Sequence, residues 1–195
     1  LQFTDRVVAI SKQNKNRLSE FLKATPVKIY HGGNLSGSKY SEKDEDFILC
    51  PDNADNTAKR VAKDKKVVKL GNGESKDFNY TGFIDDDSLV NYYKRCSFVI
   101  STSGREGFGL GPVEAAFCGK PCVVRAVGGH KETVIHGETG FLAENSYEFH
   151  KYVDKLWNNP DLRKEMGRNA YEHVSEKFTW ERAAKEYLAE FNDLM

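Results

Sequence analysis

The chain has 195 residues and a mass of 22.1 kDa, and its 29 basic side chains balance its 29 acidic ones. A chain of this length with 39% hydrophobic residues can bury one substantial core. Nucleic-acid-binding proteins usually carry a basic stripe and a high pI, whereas the pI here is about 7.1. Nucleic acid is therefore not an expected partner. No apolar run reaches the roughly 20 residues that a membrane-spanning helix needs.

The N-terminus, LQFTDRVVAI, lacks the basic and apolar regions of a signal peptide. We therefore expect a cytoplasmic protein, or one at the membrane surface when it is full length. The first residue is Leu1, which predicts a piece of a longer reading frame. The cysteines Cys50, Cys96, Cys118 and Cys122 lack the spacing of a zinc site, and we expect reduced thiols in the core.

Short apolar runs alternate with amphipathic stretches along most of the chain. The predicted strands are residues 7–10, 27–30, 47–50, 67–70, 78–81, 98–102 and 121–124. The predicted helices between them are residues 12–23, 56–62, 87–95, 111–118 and 131–135. Such alternation predicts an α/β fold with a Rossmann-like, doubly wound parallel sheet. Ligands of such sheets bind beyond the carboxyl ends of the strands.

The last 50 or so residues have a different pattern, because only helical periodicity continues there. It predicts helices at residues 146–158, 160–178 and 179–194, the last one capped by Thr179. Residues 32–45, rich in Gly and Ser and then charged, predict a linker or loop. They would divide a β-α-β piece at 1–31 from a main domain at 46–178 and a terminal helix at 179–195.

The stretch FVISTSGREGFGLGPVEAAFCGKP, residues 98–121, carries the strongest chemical signal. A predicted strand ends in a turn that contains Gly107, Gly109 and Gly111. Pro112 fits the first position of a helix, so Gly111 or its neighbour is the expected cap. Glycines let a backbone approach a ligand closely, and free N–H groups at a helix N-terminus attract phosphate. The turn therefore predicts an anion cradle.

Two carboxylates flank this cradle. Glu106 precedes the helix, and Glu114 is expected in its first turn, eight residues later. Carboxylates accept hydrogen bonds from sugar hydroxyls. One acid on each side of a phosphate cradle predicts a ligand with a sugar on both sides of its diphosphate.

The segment EGFGLGPVE resembles the E-x7-E signature of retaining GT-B glycosyltransferases of the family 4 type. Three further segments resemble the runs of the same family, in the same order: FNYTGFIDDDSLVNYYKRCSFVIST, AAFCGKPCVVRAVGGHKETVIHGETGFL and FTWERAAKEYLAEF. The resemblance covers about residues 78–192. It implies the C-terminal, donor-binding half of a GT-B enzyme, followed by the helix that crosses back to the N-terminal domain. Residues 1–31 would then be a remnant of the acceptor domain and hinge.

The resemblance also implies roles for single residues. Glu106 would act as the catalytic residue that holds the hydroxyls of the transferred sugar, and Glu114 would hold the ribose. Phe83 and Ile84 would line the base pocket. The implied donor-binding set is Gly107, Phe108, Gly109, Leu110, Gly111, Glu114, Lys59, Arg60, Phe83 and Ile84. The implied reaction is a hexosyl- or mannosyltransferase-like transfer from a UDP-, GDP- or ADP-sugar, with no metal or other cofactor. The acceptor would be a glycan, a lipid or a protein, and the resemblance does not choose among them.

At one position this sequence departs from the family pattern, which has a pair of cations there. Members carry an Arg and a Lys after the first strand of this domain, which neutralise the diphosphate leaving group. Here FILC is followed by PDNADNTAKR, with Asp52 near the position of the Arg. Lys59 or Arg60 is the predicted replacement. Such a cation stabilises the charge that develops on the leaving group. Its absence would therefore lower turnover more than donor binding.

Other interpretations follow from the same residues. A dinucleotide fingerprint needs a third glycine where Pro112 stands and an acid where Arg125 stands, which disfavours NAD. Residues 85–87, three aspartates, would suit a metal or a guanine edge, but more simply cap the next helix. His130 is expected to be structural or near the donor, and His136 to lie on a surface turn. His31 receives no role.

Two further functions compete with the transferase. A non-catalytic nucleotide-sugar-binding or assembly module would explain Asp52. Another GT-B enzyme, an epimerase or a phosphorylase, is disfavoured by the intact Glu106 and Glu114 pair. Since a two-domain enzyme of this type needs about twice this length, we expect the acceptor domain in the same full-length chain or in a partner chain.

Overall fold

A computed structural model of the chain describes residues 6–22, 25–35, 38–52 and 54–195. In this part of the chain, two parallel sheets organise the molecule. The smaller sheet pairs β1 (Val8–Ala9) with β2 (Val27–Lys28), and helix α1 (Lys12–Leu22) connects them. Of the helix predicted at residues 12–23, Lys12–Leu22 is helical, and Lys23 lies outside the described residues.

The larger sheet has six parallel strands in the order β5-β4-β3-β6-β7-β8. They are β3 (Ile48–Cys50), β4 (Val67–Lys69), β5 (Asn79–Tyr80), β6 (Phe98–Ser101), β7 (Cys122–Arg125) and β8 (Gly140–Ala143). The chain order reverses between β3 and β6, which are neighbours. The predicted Rossmann-like parallel sheet is confirmed.

Helices cover both faces of this sheet. They are α2 (Asn56–Val61), α3 (Asp86–Arg95), α4 (Leu110–Phe117), α5 (His130–Thr133), α6 (Ser146–Trp157), α7 (Pro160–Lys177) and α8 (Trp180–Asn192). Successive residues of a strand point to opposite faces, so Leu49 and Val99 enter one apolar layer. Ile48 and Ile100 enter the other. The sheet is therefore buried on both sides.

Strand β8 was not predicted, which is a correction. Its sequence GFLA starts with Gly140, and the strand rule favours runs of Val, Ile and Phe. A Cβ on Gly140 would come within 2.6 Å of the Cys122 carbonyl oxygen. The edge strand thus needs a glycine where it approaches β7, and that glycine weakens the sequence signal.

Two helix caps agree with the sequence predictions. Asp85 caps α3 and accepts a hydrogen bond from Ser88 N at 2.7 Å, which confirms the capping interpretation of the aspartates at 85–87. Thr179 caps α8 and accepts from Arg182 N at 3.2 Å. Within the described residues, no group of three or more His, Cys, Asp or Glu could hold a metal ion.

The described part of residues 32–45 lies against the main domain without helix or strand. Gly33 N donates to Phe178 O at 2.8 Å, Ser41 N donates to Cys118 O at 3.2 Å, and Leu35 is buried. Residues 36 and 37 lie outside the described part. The division of the chain into an acceptor remnant, a linker and a donor domain stays a prediction.

The four cysteines are free and buried, as predicted. Burial raises the pKa of the Cys96, Cys118 and Cys122 thiols to about 12, so they stay protonated. Among the helices that the structure describes, none combines the length and apolar character required to cross a bilayer.

Candidate functional site

The turn between β6 and α4 is built on Gly109. This residue is the N-cap of α4 with φ +96°, a left-handed conformation that glycine adopts at low cost. The helix therefore starts at Leu110, and Pro112 is its third residue. The predictions that Gly111 or its neighbour caps the helix and that Pro112 begins it are wrong. Proline still fits there, because the first four N–H groups of a helix have no acceptor within it.

The position of Glu114 changes accordingly. It is the fifth residue of α4 and lies beyond the first turn in which it was predicted. It is 8% exposed. Tyr93 Oη donates to its Oε2 at 3.0 Å, and Asn34 Nδ2 donates to its Oε1 at 3.3 Å. Burial raises the pKa of Glu114, and the two hydrogen bonds oppose that rise.

Glu106 binds the backbone of its own turn. Its Oε1 accepts from Gly109 N at 3.1 Å and, more weakly, from Phe108 N at 3.4 Å. Two N–H groups of the predicted anion cradle thus bind this carboxylate. The N–H groups of Leu110 and Gly111 lie in the first turn of α4, where N–H groups have no acceptor within the helix. They can therefore donate to a bound anion.

The loop after β7, which contains Gly128 and Gly129, packs directly against this turn. Gly129 N donates to Glu106 O at 3.0 Å. A Cβ on Gly128, whose φ is +51°, would lie 1.8 Å from the same oxygen, and one on Gly129 would lie 2.4 Å from Phe108 Cα. Because only glycines permit this approach, the loop after β7 fixes the backbone from Glu106 to Gly109.

His130 lies directly beneath the cradle and is fully buried. Its Nδ1 is 2.9 Å from Arg125 O. A carbonyl oxygen can only accept, so the proton is on Nδ1 and the neutral ring has a bare Nε2. That Nε2 has no hydrogen-bond partner in the described structure and lies 3.8 Å from Glu106 Oε2. Burial lowers the pKa of His130, which favours the neutral ring, while the Arg125 carbonyl and Glu106 oppose the shift.

The turn from Glu106 to Gly109 and the first residues of α4 line a cleft of about 510 Å³. Of the predicted site residues, Glu106, Gly107, Phe108, Gly109, Leu110, Gly111 and Glu114 all face it. The cleft lies at the ends of β3 and β6, where the order of the parallel sheet reverses and ligands of such folds bind. Seven of the predicted site residues therefore lie together at one cleft.

The other predicted residues are not brought to it. Lys59 and Arg60 lie on α2, and Arg60 is exposed. Phe83 and Ile84 precede α3, and Phe83 is 93% exposed. None of these four lines the cleft. Their assignment to the donor site stays a prediction.

Asp52 lines the floor of the cleft. It accepts a hydrogen bond from Ser101 Oγ. Burial raises the pKa of Asp52, and the charge of Glu106 adds to that rise. Among the described residues that line the cleft, none is Lys or Arg. The cleft therefore has an acid near the position of the expected cation.

His31, Asn34 and Tyr93 had no predicted role in the cleft, whereas a location was predicted for His130 and His136. His31 lines it and contacts Phe108 and Trp180 with its ring. Asn34 and Tyr93, which hold Glu114, belong to a predicted loop and helix, and no local sequence pattern relates them to residue 114. His130 was expected to be structural or near the donor; it is fully buried and 3.8 Å from Glu106 Oε2, and its place near a donor stays a prediction. His136 is exposed, as predicted for a surface turn.

Glu132 also had no predicted role. Its carboxylate accepts from Lys12 N at 2.9 Å and from Gln13 N at 3.3 Å, at the first turn of α1. Tyr30 Oη donates to the same carboxylate at 2.9 Å. Glu132 thus joins the β1-α1-β2 piece to α5, and a carboxylate is favourable at the N-terminus of α1.

Comparison with known proteins gives the family. The family model described as Glycosyl transferases group 1 matches residues 54–173. An uncharacterised glycosyltransferase of Methanocaldococcus jannaschii is 32% identical over 200 residues, which cover 92% of this chain and 57% of that protein. The trehalose synthase of Pyrococcus horikoshii is 43% identical over 106 residues, which cover 54% of this chain and 26% of the relative. The chain thus spans little more than half the length of its relatives, or less.

Solved structures agree in fold. Sucrose-phosphate synthase from Thermosynechococcus elongatus superposes with a TM-score of 0.83 at 23% identity, covering 100% of this chain and 59% of the other. Anabaena HepE in complex with UDP and glucose has a TM-score of 0.82 at 19% identity, covering 98% of this chain and 64% of that one. From the matched family model and the relatives in sequence, we conclude that the chain belongs to the glycosyl transferases group 1.

Proposed function

We propose that this chain is the donor-binding half of a retaining glycosyltransferase that moves a sugar from a nucleotide-diphosphate sugar to an acceptor. One observation carries the proposal. Glu106 and Glu114 face the same cleft from opposite sides of the first turn of α4, at the carboxyl end of β6. A nucleotide-diphosphate sugar has hydroxyl groups at both ends and an anion between them, which matches this order of groups.

Glu106 is suited to hold the transferred sugar. Its Oε1 is bound by backbone N–H groups, whereas Oε2 accepts no hydrogen bond in the described structure. A carboxylate accepts about four hydrogen bonds, so sugar hydroxyls can donate to Oε2 without displacing the backbone. Two backbone N–H groups and the loop at Gly128 hold Glu106 in position, which favours transfer over mere binding.

Glu114 is suited to hold the ribose. Tyr93 and Asn34 each donate to one of its oxygens, which fixes the carboxylate and leaves further lone pairs for a hydroxyl pair. The diphosphate would lie between the two acids, against the N–H groups of Leu110 and Gly111 and the positive end of α4. We expect no metal or other cofactor. The transferred group would be a hexose or mannose, with UDP, GDP or ADP as carrier.

A second candidate is a non-catalytic nucleotide-sugar-binding or assembly module. Asp52 favours it, because a half-buried acid in the cleft would repel the diphosphate leaving group as negative charge develops. The two candidates share the donor site. They differ in whether the bond to the diphosphate breaks.

The acceptor half would come from the rest of a full-length chain or from a partner chain. The β1-α1-β2 piece presents a largely apolar cavity of about 660 Å³, and Phe21 on α1 is 84% exposed. Exposed apolar surface of this kind favours contact with another folded unit. The acceptor would be a glycan, lipid or protein. We therefore expect this chain alone to bind the donor and to show no transfer.

Calorimetry with UDP-, GDP- and ADP-sugars, and with the matching free nucleoside diphosphates, tests the donor site. In Glu106→Gln we expect weaker binding of the sugar nucleotide and unchanged binding of the free nucleotide. In Glu114→Ala both should weaken by roughly 1–3 kcal/mol. The exposed Glu165→Gln is the matched control. The donor-site proposal is abandoned if none of these nucleotides binds.

Turnover separates the two candidates. A protein that contains the acceptor half is incubated with the bound donor and an acceptor, and the anomeric configuration of the product is read by NMR. Transfer with retention supports the enzyme. Tight donor binding with neither transfer nor hydrolysis supports the module. A product of inverted configuration contradicts the retaining mechanism while leaving the donor site intact.

A further inference from the structure

A second cavity, of about 810 Å³, lies on the other side of the Glu106 turn. Glu106 and Gly107 line both cavities, so the turn is the wall between them. The far side of the second cavity is formed by α1, which belongs to the β1-α1-β2 piece. A group bound there would face the catalytic carboxylate from the side opposite to the nucleotide. This location, which rests on the proposed function, suits the acceptor.

Four cations line this cavity: Lys12 and Arg17 from α1, Arg105 from the turn, and Lys131 from α5. All four are exposed. In the described ranges, Lys12, Arg17 and Arg105 take part in no ion pair, and Lys131 has only a contact of 3.8 Å with Glu144. The whole chain has a formal charge of zero, so this concentration of positive charge is local.

Within the described part of the chain, the two acids of the cavity form no ion pair with these cations, and four positive and two negative side chains leave a formal charge of +2. Glu132 accepts from Lys12 N, Gln13 N and Tyr30 Oη, which are backbone and phenol donors. Glu106 accepts from two backbone N–H groups. The donor cleft, in contrast, has Asp52, Glu106 and Glu114 and no described Lys or Arg. Positive charge therefore lies on the side away from the nucleotide.

We propose that the second cavity binds the phosphate group of a small phosphorylated acceptor. A phosphomonoester carries a charge of about −1.5 to −2 at neutral pH, which four cations can balance. Arginine presents paired donors that match phosphate oxygens, and two of the four cations are Arg17 and Arg105. A cavity of about 810 Å³ takes a sugar-sized ligand. The phosphate would anchor the acceptor while one of its hydroxyls points to the sugar at Glu106.

NMR titration of this chain with a hexose 6-phosphate tests the proposal. The amide signals of Gly104, Gly107 and Gly128 report on the cavity. We expect these signals to shift with the hexose phosphate and with inorganic phosphate, and not with the uncharged hexose. In the double variant Arg17→Gln/Arg105→Gln the affinity should fall at least tenfold. The control Lys151→Gln/Lys164→Gln removes two exposed cations elsewhere and should change the affinity less than twofold.

The same titration with saturating UDP separates the acceptor site from the donor site. Simultaneous binding supports the proposal. Competition between UDP and the hexose phosphate overturns it, since the cations would then serve the donor diphosphate. If UDP does not bind but the hexose phosphate does, the proposed donor site is contradicted, whereas the phosphate site is supported.

Two further binding measurements identify the chemical class of the ligand. Equal affinity for a hexuronate, which carries a carboxylate in place of the phosphate, would overturn the phosphate assignment. Sedimentation with vesicles of phosphatidylcholine, with and without phosphatidylglycerol, tests a lipid source. Binding only to the anionic vesicles, with no response to hexose phosphate, would overturn the small acceptor in favour of a lipid headgroup.

Discussion

The Nε2 atom of His130 lies 3.8 Å from the Oε2 atom of Glu106, beneath the turn that starts α4. The histidine is fully buried, and its Nδ1 proton is committed to the Arg125 carbonyl oxygen. The lone pair of a neutral ring therefore faces the free oxygen of the proposed catalytic carboxylate. A proton taken up by this pair would join the two groups and turn Oε2 away from a sugar hydroxyl.

This contact predicts a pH dependence. Burial lowers the pKa of His130 from the usual value of 6.5, while the Glu106 carboxylate raises it. We therefore expect the pKa of His130 to fall further in Glu106→Gln, because the opposing charge is gone. Imidazole NMR of wild type and variant measures both values. A His130 pKa that is unchanged by Glu106→Gln would mean that the two groups do not interact.

The same shift has a consequence for stability. A group whose pKa is lowered on folding contributes stability that is present above its unfolded pKa and lost as the pH falls. For His130 this loss begins below about 6.5, the pKa of the unfolded chain. In His130→Gln the free energy of unfolding should fall less steeply between pH 7 and 5 than in wild type. Denaturant unfolding across this range gives the two slopes, with the exposed His136→Gln as control.

Glu114 and Tyr93 predict a graded loss of nucleotide affinity. Tyr93 Oη donates to Glu114 Oε2 at 3.0 Å and opposes the rise in the Glu114 pKa. We expect Glu114→Gln to weaken UDP binding by about 1–2 kcal/mol and Tyr93→Phe to weaken it less. Tyr92→Phe, on the same helix, is the matched control. Binding is measured by calorimetry.

A deoxynucleotide makes this test specific for the ribose. Wild type should bind 2′-deoxy-UDP more weakly than UDP. In Glu114→Gln the difference between the two ligands should shrink, since the hydroxyl has lost its partner. If the difference is as large in the variant as in wild type, Glu114 does not hold the ribose.

Asp52 predicts stronger diphosphate binding after its removal. It lines the donor cleft, and burial raises its pKa. Asp52→Asn keeps the shape and removes a negative charge, so we expect UDP affinity to rise severalfold. Uridine, which has no phosphate, should bind equally to both proteins. Asp77→Asn, an exposed acid, is the control.

Asp52 also predicts how this difference in UDP affinity changes with pH. Lowering the pH protonates Asp52 in wild type, so the gap in UDP affinity between wild type and Asp52→Asn should narrow on acidification. A gap that widens would show that the Asp52 carboxylate does not oppose the diphosphate.

The residues of the cleft could be predicted from the sequence, but the start of α4 and the partners of the two acids could not. The glycine run and its two acids identified the turn, because local backbone requirements are written in neighbouring residues. The start of α4 was misplaced, since Gly109 rather than Pro112 decides it through its left-handed φ. The partners of Glu114 and Glu106 were out of reach: Asn34 and His130 meet them only after the sheet has assembled. Long-range contacts of this kind leave no periodicity in a single sequence.

A final prediction concerns Arg163, which is 6% exposed at the start of α7. Its guanidinium donates to Leu156 O at 2.6 Å and to Trp157 O at 2.7 Å, and Nε reaches Asp44 Oδ2 at 2.8 Å. One side chain thus joins the end of α6 to the segment before β3. Burial alone would raise the pKa of Asp44, but hydrogen bonds from Ser97 and Arg163 outweigh it and lower the pKa.

Arg163→Met should cost roughly 2–4 kcal/mol of unfolding free energy, because it leaves two carbonyl groups and the Oδ2 atom of Asp44 without the Arg163 donor. Lys164→Met, the exposed neighbour on the same helix, should cost less than about 0.5 kcal/mol. Since the lowered Asp44 pKa contributes stability above its unfolded value of 3.8 and loses it below, the difference between Arg163→Met and wild type should shrink as the pH falls toward 3. Urea unfolding at neutral and acidic pH measures it. A difference that stays constant would mean that Arg163 acts through the helix carbonyls alone and that its ion pair with Asp44 adds nothing to stability.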